Sequence, residues 1–391
     1  MIRLVLIAKS MRAFADGYVA ILLPAYLLAL GHGQLDVGIL STATLLGSAA
    51  ATLAVGRWGH RYSLRAMLLA SALLMGATGL GFVSLSALWP LLVVAFVGTI
   101  NPSSGDVSVF QPLEHTVLAG VTTAATRTTV FARYSFCGSL FAAMGSLSAA
   151  VPEWLAHNGT LVLVDSFRLM FLLYAVIGIV VWALYLRLPM AKSEDRAPTA
   201  PLGVSKGIVW RLAALFSVDS FASGMIVNSL LALWLFERFG MSLTAAGAFF
   251  FWAGLATASS QLIAPWVVKR IGLINTMVFT HIPANLCLIA AAFAPNVESA
   301  IALLLLRGAL SQMDVPARSA YVMSVVTPAE RPAAASFTAV PRSLAAALGP
   351  TLGGAMFAGG MMAAPLVAAG VLKIAYDLAL WFAFRRVRER E

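Results

Sequence analysis

Apolar stretches of twenty residues or more leave this chain a single solvent in which it can fold. Segments 4–30, 36–57, 64–85, 88–114, 124–150, 165–187, 208–236, 243–268, 273–293, 297–325, 332–359 and 361–385 each carry enough apolar side chains to cross a bilayer, for which a helix needs about 20 residues. The runs are too long for strands and lack period-two alternation. Charged residues make up 11% of the chain against about 25% in a soluble domain, so a soluble fold is excluded. The expected fold class is an all-α integral membrane protein.

The polar marks that interrupt these stretches recur after roughly two hundred residues. Arg12-Ala13-Phe14-Ala15-Asp16-Gly17-Tyr18 opens the first half, and Leu215-Phe216-Ser217-Val218-Asp219-Ser220-Phe221 opens the second. Gly56-Arg57-Trp58-Gly59-His60-Arg61 aligns with Pro265-Trp266-Val267-Val268-Lys269-Arg270, Asn101-Pro102 with Val315-Pro316, and Ala132-Arg133-Tyr134-Ser135 with Pro341-Arg342-Ser343-Leu344. Four matches in one order predict twelve transmembrane helices in two pseudo-symmetric six-helix bundles. The first bundle is expected over 1–188 and the second over 208–391, joined by a cytoplasmic linker at 189–207 that is rich in charge and proline. Such internal repeats are a mark of transporters whose solute site lies between the repeats.

The net charge of +10 does not point to nucleic acid, because the basic residues fall in alternate loops: Arg57, Arg61 and Arg65; Arg187, Lys192, Arg196, Lys206 and Arg211; Lys269 and Arg270; Arg331; and Arg385 to Arg390. That is the positive-inside pattern, with both termini in the cytoplasm. The expected location is multi-pass in a cell membrane, the bacterial inner membrane being the favoured one. Lys9, Arg12 and Asp16 interrupt the first stretch, which argues against a cleavable leader. Cys137 and Cys287 lie within spans and read as small apolar residues.

The basic loop between spans two and three resembles the G-x-L-x-D-R-x-G-R-R loop of the major facilitator superfamily of secondary transporters. Gly56, Arg61 and Arg65 match it, His60 stands where the family has aspartate, and Ser63 replaces the second glycine. The resemblance extends over nearly the whole chain and implies two six-helix bundles and a cytoplasmic gate loop formed here by Gly56, His60, Arg61 and Arg65. Gly349-Pro350-Thr351-Leu352-Gly353-Gly354 resembles the G-P-x-x-G-G motif of the superfamily's drug antiporters, but lies in span eleven instead of span five. The family usually works as monomers, and that state is expected here.

Charged groups within spans cost about 2.5–3.5 kcal/mol on insertion scales, so they face protein or water and are the functional candidates. Asp16, Asp106, Asp219 and Asp314 are the candidate proton carriers. Arg12 sits at i,i+4 from Asp16, Arg318 from Asp314 and Asp377 from Lys373, so a local ion pair is the plain alternative at each. Arg133 and Arg342 occupy repeat-related positions and suit bidentate contact with an anion, or pairing with local acids. Tyr18, Asn101, Gln111, Asn228, Gln261 and Tyr321 complete the candidates for the solute cavity, with Arg12 and Arg318 as binding or charge-pairing groups. Glu114 and His115 read as gate or loop contacts, and His281 as a helix-packing histidine.

The expected function is secondary active transport of a small organic solute by alternating access, proton-coupled and outward. The opening helix, with Asp16, Pro24 and Tyr26, looks like that of the superfamily's small-molecule exporters. The alternative is transport of a small organic or phosphorylated anion held by Arg133 and Arg342. A non-transporting membrane sensor or a membrane enzyme is a more distant reading, since the five histidines are scattered and no constellation for catalysis or metal binding is present. No P-loop is present, so the energy source expected is a proton gradient, with no cofactor. The expected partners are the solute and the lipid bilayer, without nucleic acid.

Overall fold

A computed structural model describes residues 1–58, 61–103, 109–122, 124–159, 161–188, 203–327 and 330–385. The helices are α1 (Ile2–Ala29), α2 (Gln34–Trp58), α3 (Leu64–Ser84), α4 (Leu88–Val97), α5 (Phe110–Val121), α6 (Ala124–Leu147), α7 (Val151–His157), α8 (Leu163–Tyr185), α9 (Lys206–Gly224), α10 (Asn228–Phe239), α11 (Leu243–Ile271), α12 (Leu273–Ala292), α13 (Val297–Ser311), α14 (Asp314–Val325), α15 (Arg331–Ala358) and α16 (Ala364–Phe384). Among the described residues there is no strand. Among the described residues ten helical stretches are long and apolar enough to cross a bilayer. The other two expected spans, 88–114 and 332–359, coincide with the α4–α5 pair and with α15, so the helices are consistent with twelve crossings.

Local sequence sets where these helices start and stop. Ser63 caps α3 by accepting from the Ala66 amide at 3.2 Å, and Asn296 caps α13 by accepting from the Ser299 amide at 2.9 Å. Gly240 ends α10 in the left-handed conformation, with φ of 60°. Three expected spans are each two helices. In span four, α4 ends before Asn101-Pro102, where Asn101 Oδ1 accepts from the Ser103 amide at 3.0 Å and from the Ser103 hydroxyl at 2.7 Å, closing a turn that competes with helix. In span ten the break falls at Gln312–Met313, and Pro316 sits in the first turn of α14, where its missing N–H costs nothing. The break at Met225–Val227 in span seven was not expected from sequence.

Contacts divide the chain into two compact units, one of 1–195 with 227–251 and one of 196–226 with 252–391. The sequence division placed 227–251 with the second half. In the structure α10 packs on α1 and α2, which draws that segment into the first unit. The Ser229 amide donates to the Pro102 carbonyl at 3.0 Å, and Ser229 Oγ lies 3.1 Å from Ser41 Oγ. Residues 189–202 of the expected linker lie outside the described residues.

Both units have crossings in which backbones touch, and one in each involves a glycine at a polar mark of the repeat or in the glycine-rich stretch. In the first, a Cβ on Gly17 would overlap the Ala142 carbonyl and one on Gly145 would overlap the Phe14 carbonyl, where α1 crosses α6. In the second, Gly224 and Gly349 face each other where α9 crosses α15. Small residues permit this approach, which replaces hydrophobic burial as the source of helix association in lipid. The glycine that opens the G-P-x-x-G-G stretch is therefore a packing position. The core of the second unit is apolar around Leu212 and Phe216 of α9, Met277 of α12, Tyr321 of α14 and Leu380 of α16. Trp89, Leu262 and Phe382 stay exposed on helices of this kind, as a lipid-facing surface requires.

Candidate functional site

In the first unit four helices converge on one carboxylate. Glu114 of α5 is wholly buried. Arg12 of α1 donates to its Oε2, Tyr134 of α6 donates to Oε2 at 2.6 Å, and Tyr185 of α8 donates to Oε1 at 2.6 Å. The Arg12 guanidinium lies over the Phe110 ring, 4.0 Å from its centroid. A carboxylate only accepts hydrogen bonds, and three charge-assisted or phenolic donors satisfy it here. Glu114 was read from sequence as a gate or loop contact, because it stands near the end of its apolar run. The structure places it at the junction of α1, α5, α6 and α8. Asp16, one turn from Arg12, is half-buried. The i,i+4 spacing suggested Asp16 as the partner of Arg12, but Arg12 bonds Glu114.

The second unit holds a longer chain of charges. Arg318 of α14 donates to Asp314 at 2.9 Å on its own helix and to Asp219 of α9 at 3.0 Å. Lys373 of α16 donates to the other Asp219 oxygen at 2.7 Å and to Ser223 Oγ at 2.7 Å. The expected Asp314–Arg318 pair is present. Asp219 has no basic neighbour one turn away on its own helix, and its two cations come from α14 and α16. Lys373 was expected to pair with Asp377, yet Asp377 instead accepts from Asn285 Nδ2 at 3.3 Å and lies 2.9 Å from His281 Nδ1, both on α12. All of these charged side chains are buried.

The remaining candidates are spread more widely. Arg133 is exposed on α6, and Arg342 is half-buried on α15, where its Nε donates to Ser220 Oγ at 3.2 Å. Tyr18 donates to the Met170 carbonyl at 3.1 Å, and Tyr321 is buried with its ring against Phe384. Gln111, Asn228 and Gln261 are half-buried on α5, α10 and α11, and Asn101 closes the turn after α4. Of the gate loop, Gly56 falls in the last turns of α2 and Arg61 is exposed. Arg65 donates to the Leu186 carbonyl at 2.6 Å, meeting one of the acceptors that α8 leaves open at its C-terminus. Asp106 and His60 lie outside the described residues. Among the described residues no three His, Cys, Asp or Glu side chains are grouped to hold a metal.

Outside the spans, Glu330 ties the start of α15 to the segment before α9. Ser205, Thr327 and the Gly203 amide surround its carboxylate and hold it below the usual carboxylate range, at about 2.

The family model for the Major Facilitator Superfamily matches residues 5–311 and 217–391. An uncharacterized membrane protein of Saccharomyces cerevisiae is 23% identical over 415 residues, covering 97% of this chain and 93% of its own length. The inward-facing, occupied structure of a bacterial homologue of the human lysosomal transporter Spinster is similar with a TM-score of 0.77 at 14% identity, covering 98% of this chain and 96% of that one. The nucleoside transporter NupG is similar with a TM-score of 0.74 at 14% identity, covering 99% of each chain. At such identity these two structures establish the fold, and the family match spans the chain. The protein is a multi-pass membrane transporter rather than an enzyme, and it belongs to the major facilitator superfamily.

Proposed function

We propose that the chain is a proton-coupled secondary transporter that exports a small organic solute by alternating access. The observation that carries this reading is Asp219, held at once by Arg318 and Lys373. A scaffold could fill the same space with apolar side chains at no loss of stability. Charges retained at such a place suit a pairing that changes during work. Protonating Asp219 removes the partner of both cations together. Arg318 keeps Asp314, while Lys373 is released within one helical turn of Asp377. A membrane potential of 100 mV supplies about 2.3 kcal/mol for each charge that crosses, so one proton suffices to bias an equilibrium between two such arrangements. The resemblance of the first helix to exporters supports the outward direction.

The test uses purified protein in liposomes loaded with the pH dye pyranine. Nucleosides, sugars, amphipathic amines and organic anions are added one class at a time. A solute-dependent change in internal pH with the wild type, absent with Asp219→Asn, is the expected result. Solute movement that ignores an imposed pH gradient would remove proton coupling.

Arg342 favours a second reading, in which the solute is an anion. Its hydrogen-bond partner is the neutral Ser220, and among the described residues no carboxylate lies within ion-pair distance. Under this reading Arg342→Gln abolishes binding of organic anions, whereas under the first it leaves binding of neutral or cationic solutes in place.

A further inference from the structure

Three buried carboxylates, Asp219, Asp314 and Asp377, lie with the cations Arg318 and Lys373 in the second unit, and Arg307 and Arg342 stand near them. Asp314 and Asp219 share Arg318, and Asp219 also takes Lys373. Asp377 has no such cation. It is wholly buried, and its hydrogen-bonding neighbours are His281 Nδ1, at 2.9 and 3.1 Å from its two oxygens, and Asn285 Nδ2 at 3.3 Å. A buried carboxylate served only by neutral donors is costly, and a proton on the imidazole turns the contact into an ion pair. With that proton Asp377 has a bonded cation, as Asp219 and Asp314 have. Without it, no cation among the described residues is bonded to Asp377.

We propose that His281 and Asp377 form a binding site for one proton between α12 and α16, loaded and emptied in exchange with the Asp219–Lys373 ion pair beside it. In the loaded form the imidazolium Nδ1–H donates to the Asp377 carboxylate. In the emptied form the proton has left the imidazole for water, and the neutral ring still donates Nδ1–H to Asp377. Asp377, left without a bonded cation, then draws Lys373, one turn away on the same helix, from Asp219. Asp219 keeps Arg318. Other groups bear on this exchange from each packed element: Arg318 and Asp314 from α14, Arg342 from α15, and Arg307 from α13, which acts on Asp219 from further off. Tyr376 of α16 stands edge-on to the His281 ring, and Cys287 lies further along α12. This site rests on the proton-coupled reading and gives it a second station, on α12 and α16.

The test is nuclear magnetic resonance of protein labelled with ¹⁵N-histidine in lipid nanodiscs, with no solute present. The His281 signal is identified as the one lost from the five in His281→Gln. The expected result is that this signal passes from the neutral to the protonated form of the ring as pH is lowered. Its midpoint moves by about one pH unit or more in Asp377→Asn, as loss of an adjacent charge demands. Asp377→Asn keeps a hydrogen-bonding group in place, and Lys373→Gln, which removes a cation and so moves the midpoint the other way, supplies a second reading should that variant fail to fold. A signal that does not titrate in the wild type, or that titrates with one midpoint in wild type and variants, overturns the proposal. Since no solute enters this measurement, absence of solute-driven pH change in the pyranine liposomes would sink the coupled transport and leave the site standing.

Discussion

Lys373 bonds Asp219, which lies 154 residues away on another helix, although Asp377 is a single turn along its own. Side chains four apart on a helix are neighbours whether or not they are partners. Asp219 can take a cation on each oxygen, and with Arg318 on one, Lys373 completes the set. Asp377 is left to His281 and Asn285. The pairing is tertiary, so its disruption has tertiary consequences.

Removing Asp219 strands the buried Lys373 and leaves Arg318 with Asp314 alone. Asp219→Asn should lower stability by about 3–5 kcal/mol, the usual cost of breaking a buried pair from one side. Asp219→Asn with Lys373→Gln should recover part of that loss, because the stranded charge goes with it. Thermal unfolding in detergent checks this, and equal additive losses in the double variant would show that the two residues act independently.

Glu114 is predicted to be the more sensitive centre of the first unit. Tyr134→Phe and Tyr185→Phe each remove one hydrogen bond to a charged group, worth about 1.5–3 kcal/mol. Glu114→Gln removes the charge that balances Arg12 and should cost more than either. A melting series of the three variants that ranks a tyrosine change above Glu114→Gln would contradict the assignment of Arg12 to Glu114.

The crossing glycines divide into two kinds. Gly145→Ala would drive a methyl group into the Phe14 backbone, and Gly349→Ala into that of Gly224, so both should reduce yield of folded protein sharply. Gly138→Ala meets only the far end of the Lys9 side chain, which can move aside, and should be tolerated. Monodispersity after extraction, measured by fluorescence-detected gel filtration, separates the two outcomes.

Glu330 sets a pH dependence with a definite sign. Its carboxylate is held at about 2 in the folded chain by Ser205, Thr327 and the Gly203 amide. A lowered value means that the stabilisation is complete above the unfolded carboxylate value of about 4.3 and is lost as pH falls toward the folded one. The difference in melting temperature between wild type and Glu330→Gln should therefore be constant from neutral pH to about 5 and narrow below about 4.3. A difference that instead grows on acidification would reverse the sign.

Much of this architecture is legible in the order of residues, and the reasons are physical. A bilayer imposes a length on every span, so runs such as 64–85 and 165–187 announce α3 and α8 almost to the residue. Pro102 and Pro316 announce the breaks in spans four and ten, because proline cannot donate to a helix ladder. The break at Met225–Val227 carries no proline, and its signal is missing from the local sequence. The charged cluster is the least legible part. Asp219 and Arg318 are 99 residues apart, and nothing in the spacing of either helix names the other. Spacing misled at Arg12 and at Lys373, where an acid one turn away is present but a distant carboxylate takes the bond. Glu114 was visible as an acid in an apolar run, and only its burial under Tyr134 and Tyr185 shows its rank.

Helix α10 gives the chain a path that crosses from one unit to the other more than once. The polypeptide leaves the first unit at 195, returns to it at 227 and leaves again at 251. A gene cut in the linker would therefore not yield two self-sufficient polypeptides. The N-terminal product would bare the surfaces of α1 and α2 that α10 covers, and the C-terminal product would carry α10 as an orphan helix. The grouping of the chain by contact does not follow its grouping by repeat.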